Sequence, residues 1–203
     1  MKKILLSSML FFSPFLLADA KLDLQKELSK LTSFDAHFKQ TVFDEQKQPL
    51  QHAKGQLQLQ QPNQMRWQQE DTLLVSHGEK TYFFDAFAEQ VTIMNTESLI
   101  DSTPFVLLTH HQDMSLWNNY NVTAVNGSYE LTPALGQQSQ VEKLTLVFDG
   151  NGLGFKTILI LDSTGQQTQF DFEQNKVNTP LDASLFQFTI PEGVAVDDQS
   201  QGE

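Results

Sequence analysis

Five histidines, His37, His52, His77, His110 and His111, are the first residues to test for chemistry, because imidazole is the commonest metal ligand and general base. Their spacing does not suit a metal. His110 and His111 are adjacent and diverge by ~100° on a helix, so they cannot hold one ion as an i, i+4 pair does, and the others lie far apart. The run Asp149-Gly150-Asn151-Gly152-Leu153-Gly154 has the look of a calcium or phosphate loop. Leu153, however, replaces an oxygen ligand, and Ile160 stands where such a loop needs glutamate, so the run reads as a glycine-rich turn between strands. The carboxylate pairs Asp197-Asp198 and Glu70-Asp71 are adjacent residues at a tail and a turn, positions open to solvent, and do not suggest an acid–base pair. Neither a Gly-x-Ser-x-Gly elbow nor a Walker-type loop occurs. The absence of cysteine excludes a thiolate nucleophile, a thiolate metal site, a disulfide framework and lipid attachment through an N-terminal cysteine. The expectation is a protein that is not an enzyme and needs no cofactor or metal.

What remains is apolar chemistry, concentrated between Ser76 and Met94. Side chains alternate along a strand, so Tyr82 and Phe84 point to one side while Thr81 and Phe83 point to the other. Antiparallel sheets usually leave one face to water; aromatics on both faces imply that the second surface is covered or lines an apolar cavity.

The elements that carry these residues are legible from period and turns. Lys2 and Lys3, an interrupted apolar run from Ile4 to Leu17, then Ala18, Asp19 and Ala20 read as an export signal of twenty residues, cut after Ala18 or Ala20, with residues 21–203 forming one domain. The full chain carries a net charge of −12, which suits neither nucleic-acid phosphates nor anionic lipid surfaces. Leu24, Leu28 and Leu31 recur at helical spacing. From Phe34 the period changes to that of strands, with candidates at 34–42, 55–60, 65–69, 72–76, 80–85 and 90–94 separated by turn-forming pairs. The rhythm breaks between Thr96 and Trp117, where Thr103 is expected to cap a helix beginning at Pro104 and bearing Phe105, Leu107 and Leu108. Strands resume at 120–125, 129–132, 141–148, 155–161, 168–172 and 186–190, with Asn126-Gly127 and Thr164-Gly165 as hairpin turns. So many consecutive strands in one domain must curl, split into two sheets or close.

Several segments, in order and spacing, resemble the LolA-type carriers of outer-membrane lipoproteins in Gram-negative bacteria. The densest likeness is Ser76-His77-Gly78-Glu79-Lys80-Thr81-Tyr82-Phe83-Phe84-Asp85-Ala86-Phe87-Ala88-Glu89-Gln90-Val91-Thr92. It is flanked by Ser33 to Gln40, Gly55 to Trp67, Thr103-Pro104-Phe105 and Gly193 to Asp198. The resemblance implies a mainly β (α+β) fold: an incomplete antiparallel β-barrel of about 11–12 strands with a lid of short α-helices over a hydrophobic cavity. It also implies a periplasmic chaperone, expected to be monomeric. Such a carrier receives acylated lipoproteins from an ABC-type, ATP-driven release complex of the inner membrane and passes them to an outer-membrane receptor that is itself a lipoprotein. The alternative is a lipid- or lipoprotein-sensing envelope-stress regulator built on the same half-barrel. Under the carrier reading, the expected acyl-chain wall comprises Leu28 and Leu31 from the first helix, Phe105 and Leu108 from the central helix, and Phe38, Met65, Trp67, Tyr82, Phe84 and Met94 from the sheet. The family typically has a basic residue before Pro62-Asn63, thought to help hold the lid. This chain has Gln61 there, which can hydrogen-bond but carries no charge.

Overall fold

Period-2 segments joined by tight turns pair with their neighbours, and here they build two antiparallel meanders that join in one sheet. The computed structural model describes residues 15–99, 104–137, 139–150 and 152–200. Helix α1 (Phe15–Ser29) precedes β1 (Ser33–Phe43), β2 (Pro49–Gln60), β3 (Gln64–Gln69), β4 (Thr72–His77), β5 (Lys80–Asp85) and β6 (Gln90–Asn95). After a connection containing a 3₁₀ helix (Pro104–Thr109) and a single-turn helix α2 (Met114–Trp117), the sheet resumes. Its second run is β7 (Tyr120–Val125), β8 (Ser128–Pro133), β9 (Val141–Phe148), β10 (Phe155–Asp162) and β11 (Gln167–Val177). A 3₁₀ turn (Ala183–Phe186) and β12 (Ala195–Asp198) end the described chain.

All twelve strands form one unclosed sheet, ordered β12-β6-β5-β4-β3-β2-β1-β11-β10-β9-β8-β7. The pairing of β1 with β11 joins the two runs, and every pair is antiparallel except β12 with β6. Because β6 lies near one edge and β7 forms the other, the connection between them is carried across the inner face of the sheet. Phe105, Val106, Leu107 and Leu108 from this crossing are buried in one core with Leu24 and Leu28 of α1 and the inward side chains Phe34, Phe38, Leu57 and Met65. α1 itself packs on β7 and covers that edge of the sheet.

The expected central helix differs in two ways. It is a 3₁₀ helix of six residues, and Thr103, its expected cap, lies outside the described residues. At its end the Thr109 hydroxyl donates to the Val106 carbonyl oxygen at 3.2 Å, and the His110 ring nitrogen Nδ1 lies 2.8 Å from the same oxygen. The expected strand 186–190 is absent. Its segment lies over the outer face of the sheet, with Phe186 buried and Phe188 stacked on Tyr82 at 5.4 Å, so ring burial replaces strand pairing. β2 begins six residues earlier than its apolar pattern predicted. Residues 49–54 pair with β1 but have no partner on β3, so most of them face water and show no alternation.

One close approach admits only glycine beside an aromatic ring. Gly55 stands opposite Phe38, and a Cβ built there would run into both the Phe38 ring and the Gln68 carbonyl oxygen. Replacing glycine by alanine ordinarily favours a strand, yet Gly55→Ala is expected to destabilise the protein by about 1–3 kcal/mol through overpacking, read as a lower urea midpoint with an unchanged slope.

Candidate functional site

The register of three hairpins decides which aromatics share a face. Leu57 pairs with Trp67, Trp67 with Leu74 and Leu74 with Phe83, so these four project to the inner side. From the other half of the sheet, Phe170, Phe172 and Ile158 project to the same side. Trp67 lies 4.2 Å from Phe38, 4.9 Å from Phe105 and 5.0 Å from Phe170 between ring centroids, which makes an aromatic floor joining the sheet to the crossing segment. Above it is a cavity of about 390 Å³, within the range of small-molecule sites. Met65, Trp67, Leu74 and Phe83 form one wall, Ile160 and Phe170 the other, and Phe105 projects between them. The remaining lining is polar: Gln40, Thr72, Gln140, Asp162, Gln166 and Thr168.

Three of the residues expected from sequence, Met65, Trp67 and Phe105, line this cavity. Phe38 is buried against Trp67 and supports it. Leu28, Leu31 and Leu108 belong to the core under α1 and the crossing segment, with Met94 packed against it, and none of the four lines the cavity. Tyr82 and Phe84 are on the wrong side. They face outward and pack on Phe188 at 5.4 and 6.0 Å, in an outer layer that includes Val75, Val91 and Ile93. The two-faced hairpin is therefore explained twice over: one face lines the cavity and the other is covered by the C-terminal segment. Phe83, Leu74 and Phe170 went unrecognised. Two-residue turns at Glu70-Asp71 and Gly78-Glu79 carry the signal that finds the first two, because they transmit the inward phase of Trp67 to Leu74 and Phe83.

The crossing segment acts as a lid, and the frame holds it by its backbone. Gln61 Nε2 donates to the Leu108 carbonyl oxygen at 3.0 Å, and the Asn63 amide to that of Thr109 at 3.4 Å. From α1, Gln25 Nε2 donates to the His111 carbonyl oxygen at 3.1 Å and Lys21 Nζ to that of Trp117 at 2.8 Å. Burial lowers the pKa of Lys21 from its ordinary value. Within the lid, Trp117 Nε1 donates to the His110 carbonyl oxygen at 2.9 Å. Gln61 thus reaches the lid without a charge, while its Oε1 is buried and without a hydrogen-bond partner. At the polar end of the cavity, burial works to raise the Asp162 pKa. Hydrogen bonds from the Thr164 hydroxyl and the amides of Thr164, Gln166 and Gly165 outweigh it and hold the carboxyl below the ordinary range.

Among the described residues no group of three or more His, Asp or Glu side chains could hold a metal ion, and no helix is long and apolar enough to cross a membrane.

Comparison with known proteins points to one family. The family model described as outer membrane lipoprotein carrier protein LolA matches residues 29–189. An outer-membrane lipoprotein carrier protein of Pseudoalteromonas translucida is 53% identical over 189 residues, covering 92% of this chain and 90% of its own. One from Proteus mirabilis is 37% identical, covering 98% and 100%. A solved LolA superfamily protein from Nitrosomonas europaea superposes with a TM-score of 0.47 at 10% identity, covering 81% of this chain and 97% of that one.

The latch is testable in both directions. Gln61→Arg replaces a neutral donor by a charged one and removes the orphaned Oε1, so the lid should open less often and amide exchange at His110, whose N–H donates to the Leu107 carbonyl oxygen, should slow by about fivefold. Gln61→Ala should speed it by a similar factor.

Proposed function

The chain belongs to the LolA family of outer membrane lipoprotein carrier proteins, and from that premise we propose that it shields the acyl chains of lipoproteins in the cavity beneath its lid while they cross the periplasm. The observation that carries this reading is the aromatic floor of Trp67, Phe105 and Phe170 below a lid held by few polar bonds. Each methylene removed from water is worth ~0.8 kcal/mol, so two or three acyl chains represent tens of kcal/mol that must be covered in transit. The lid makes that cover exchangeable. Phe105 already fills part of the cavity, and an acyl chain that displaces it replaces one apolar contact by another, leaving a small net difference. Loose, adaptable holding suits a carrier that passes its cargo on.

In this reading the signal ends at Ala18 or Ala20, residues 21–203 act as one carrier unit, and the function involves no catalytic step. An ATP-driven complex of the inner membrane supplies the cargo and an outer-membrane lipoprotein receptor accepts it. Wall residues are Met65, Trp67, Leu74, Phe83, Phe105 and Phe170, with Gln61 controlling the lid. The lipid-sensing regulator is not favoured, since relatives that match over about nine-tenths or more of both lengths are named as carriers.

The direct test adds purified residues 21–203 to spheroplasts making labelled outer-membrane lipoproteins. ATP-dependent appearance of those lipoproteins in the soluble fraction, one to one with the protein, is the expected result; none released by folded protein beside a compatible inner-membrane complex sinks the reading. Phe105→Asp places a charge on the cavity wall and should abolish uptake, whereas Phe105→Leu should retain it, with circular dichroism confirming that both are folded.

A further inference from the structure

The cavity has two unlike ends. Its aromatic end is closed by the lid through Phe105, while its polar end lies where the strands run out: Thr72 opens β4, Asp162 closes β10, Gln166 precedes β11 and Gln140 precedes β9. Gln40 sits between these zones. It occupies an inward position of β1, between Phe38 and Val42 on the same face, and stands opposite Phe170. The inward positions that flank it, Phe38 and Val42 on β1, Phe170 on β11 and Ala53 on β2, are apolar, with Thr168 one inward position further along β11, and its Oε1 is buried with no hydrogen-bond partner. A buried amide oxygen without a partner is destabilising, so an apolar residue of similar shape would serve the empty protein better.

We propose that Gln40 is the polar anchor for the linkage region of the cargo, the ester and amide groups that join acyl chains to the lipid-modified residue, and that it orients the chains toward Trp67 and Phe105; this rests on the carrier reading above. The chemistry of the side chain fits that ligand. Rotating the terminal amide through half a turn presents either a carbonyl oxygen or an NH₂ group, so Gln40 can accept from an amide N–H or donate to an ester carbonyl. Sidedness follows from geometry. The peptide portion of the cargo must remain in water, and Gln140, Asp162 and Gln166 give it a hydrogen-bonding exit at the polar end, opposite the lid.

The test uses the mature protein with two probes, a synthetic triacylated lipopeptide and an apolar fluorophore without carbonyl groups, 1-N-phenylnaphthylamine. Gln40→Leu should weaken lipopeptide binding about tenfold while fluorophore binding stays the same or tightens, and Gln40→Met should behave alike. Infrared spectra of lipopeptide carrying ¹³C-labelled ester carbonyls should show a band lowered by hydrogen bonding in the wild-type complex that moves up in Gln40→Leu. Equal losses for both probes would assign Gln40 a packing role, and undiminished lipopeptide binding with an unmoved band would make it a bystander; either overturns the anchor alone. A wild-type protein that binds the fluorophore but no lipopeptide overturns the carrier reading and the anchor together.

Discussion

A sheet of twelve strands that stops short of closure leaves its chain with a crossing to make, and everything distinctive about this molecule follows from where that crossing lies. β6 ends beside one margin and β7 begins the other, so residues 96–119 cannot join them by a hairpin. The connection's apolar run Phe105–Leu108 is buried on the inner face, where it meets the inward side chains of the strands it passes over. Had the two runs of strands closed on each other, no open margin would be left for a crossing segment to cover. The open seam converts part of the core into a lid that can be exchanged for something else apolar.

The second consequence is a division of labour between the faces of β3 to β6. The inner face belongs to the lid and the cavity; the outer face is sealed by Phe186 and Phe188, after which β12 adds itself to the margin of β6. Sealing one face allows the other to be incompletely filled, because the sheet between them keeps a well-packed layer on one side whatever occupies the other. Arg66 takes part in this seal, its Nη1 donating to the Leu185 carbonyl oxygen at 3.4 Å.

Strand pairing was legible in the sequence wherever a short turn and a half-buried strand coincided. β5, β7 and β9 have the bounds that alternation predicts, and the resemblance placed the C-terminal strand. Legibility failed where burial came from something distant in the chain. Tyr82 and Phe84 look like cavity residues because nothing local reveals that Phe188, a hundred residues later, covers them. Leu28 and Leu108 look alike for the same reason, since a helical stripe reads identically whether it faces a filled core or a cavity. The strand pattern at 186–190 misled because aromatic alternation there serves ring stacking across a face and not pairing at an edge. Gln61 could be tied to the lid only through the family resemblance, and its amide does reach the lid, at the Leu108 carbonyl oxygen.

The lid's attachment to the frame has a consequence for how such a protein can change over generations. Gln61, Asn63, Gln25 and Lys21 all donate to main-chain carbonyl oxygens of the lid, and these contacts ask nothing of its side chains. Substitutions at Phe105 that alter the size of the interior therefore leave the fastening in place. A lineage whose membranes shift to longer, shorter or branched fatty acids can retune the interior one apolar residue at a time, without having to evolve a new clasp.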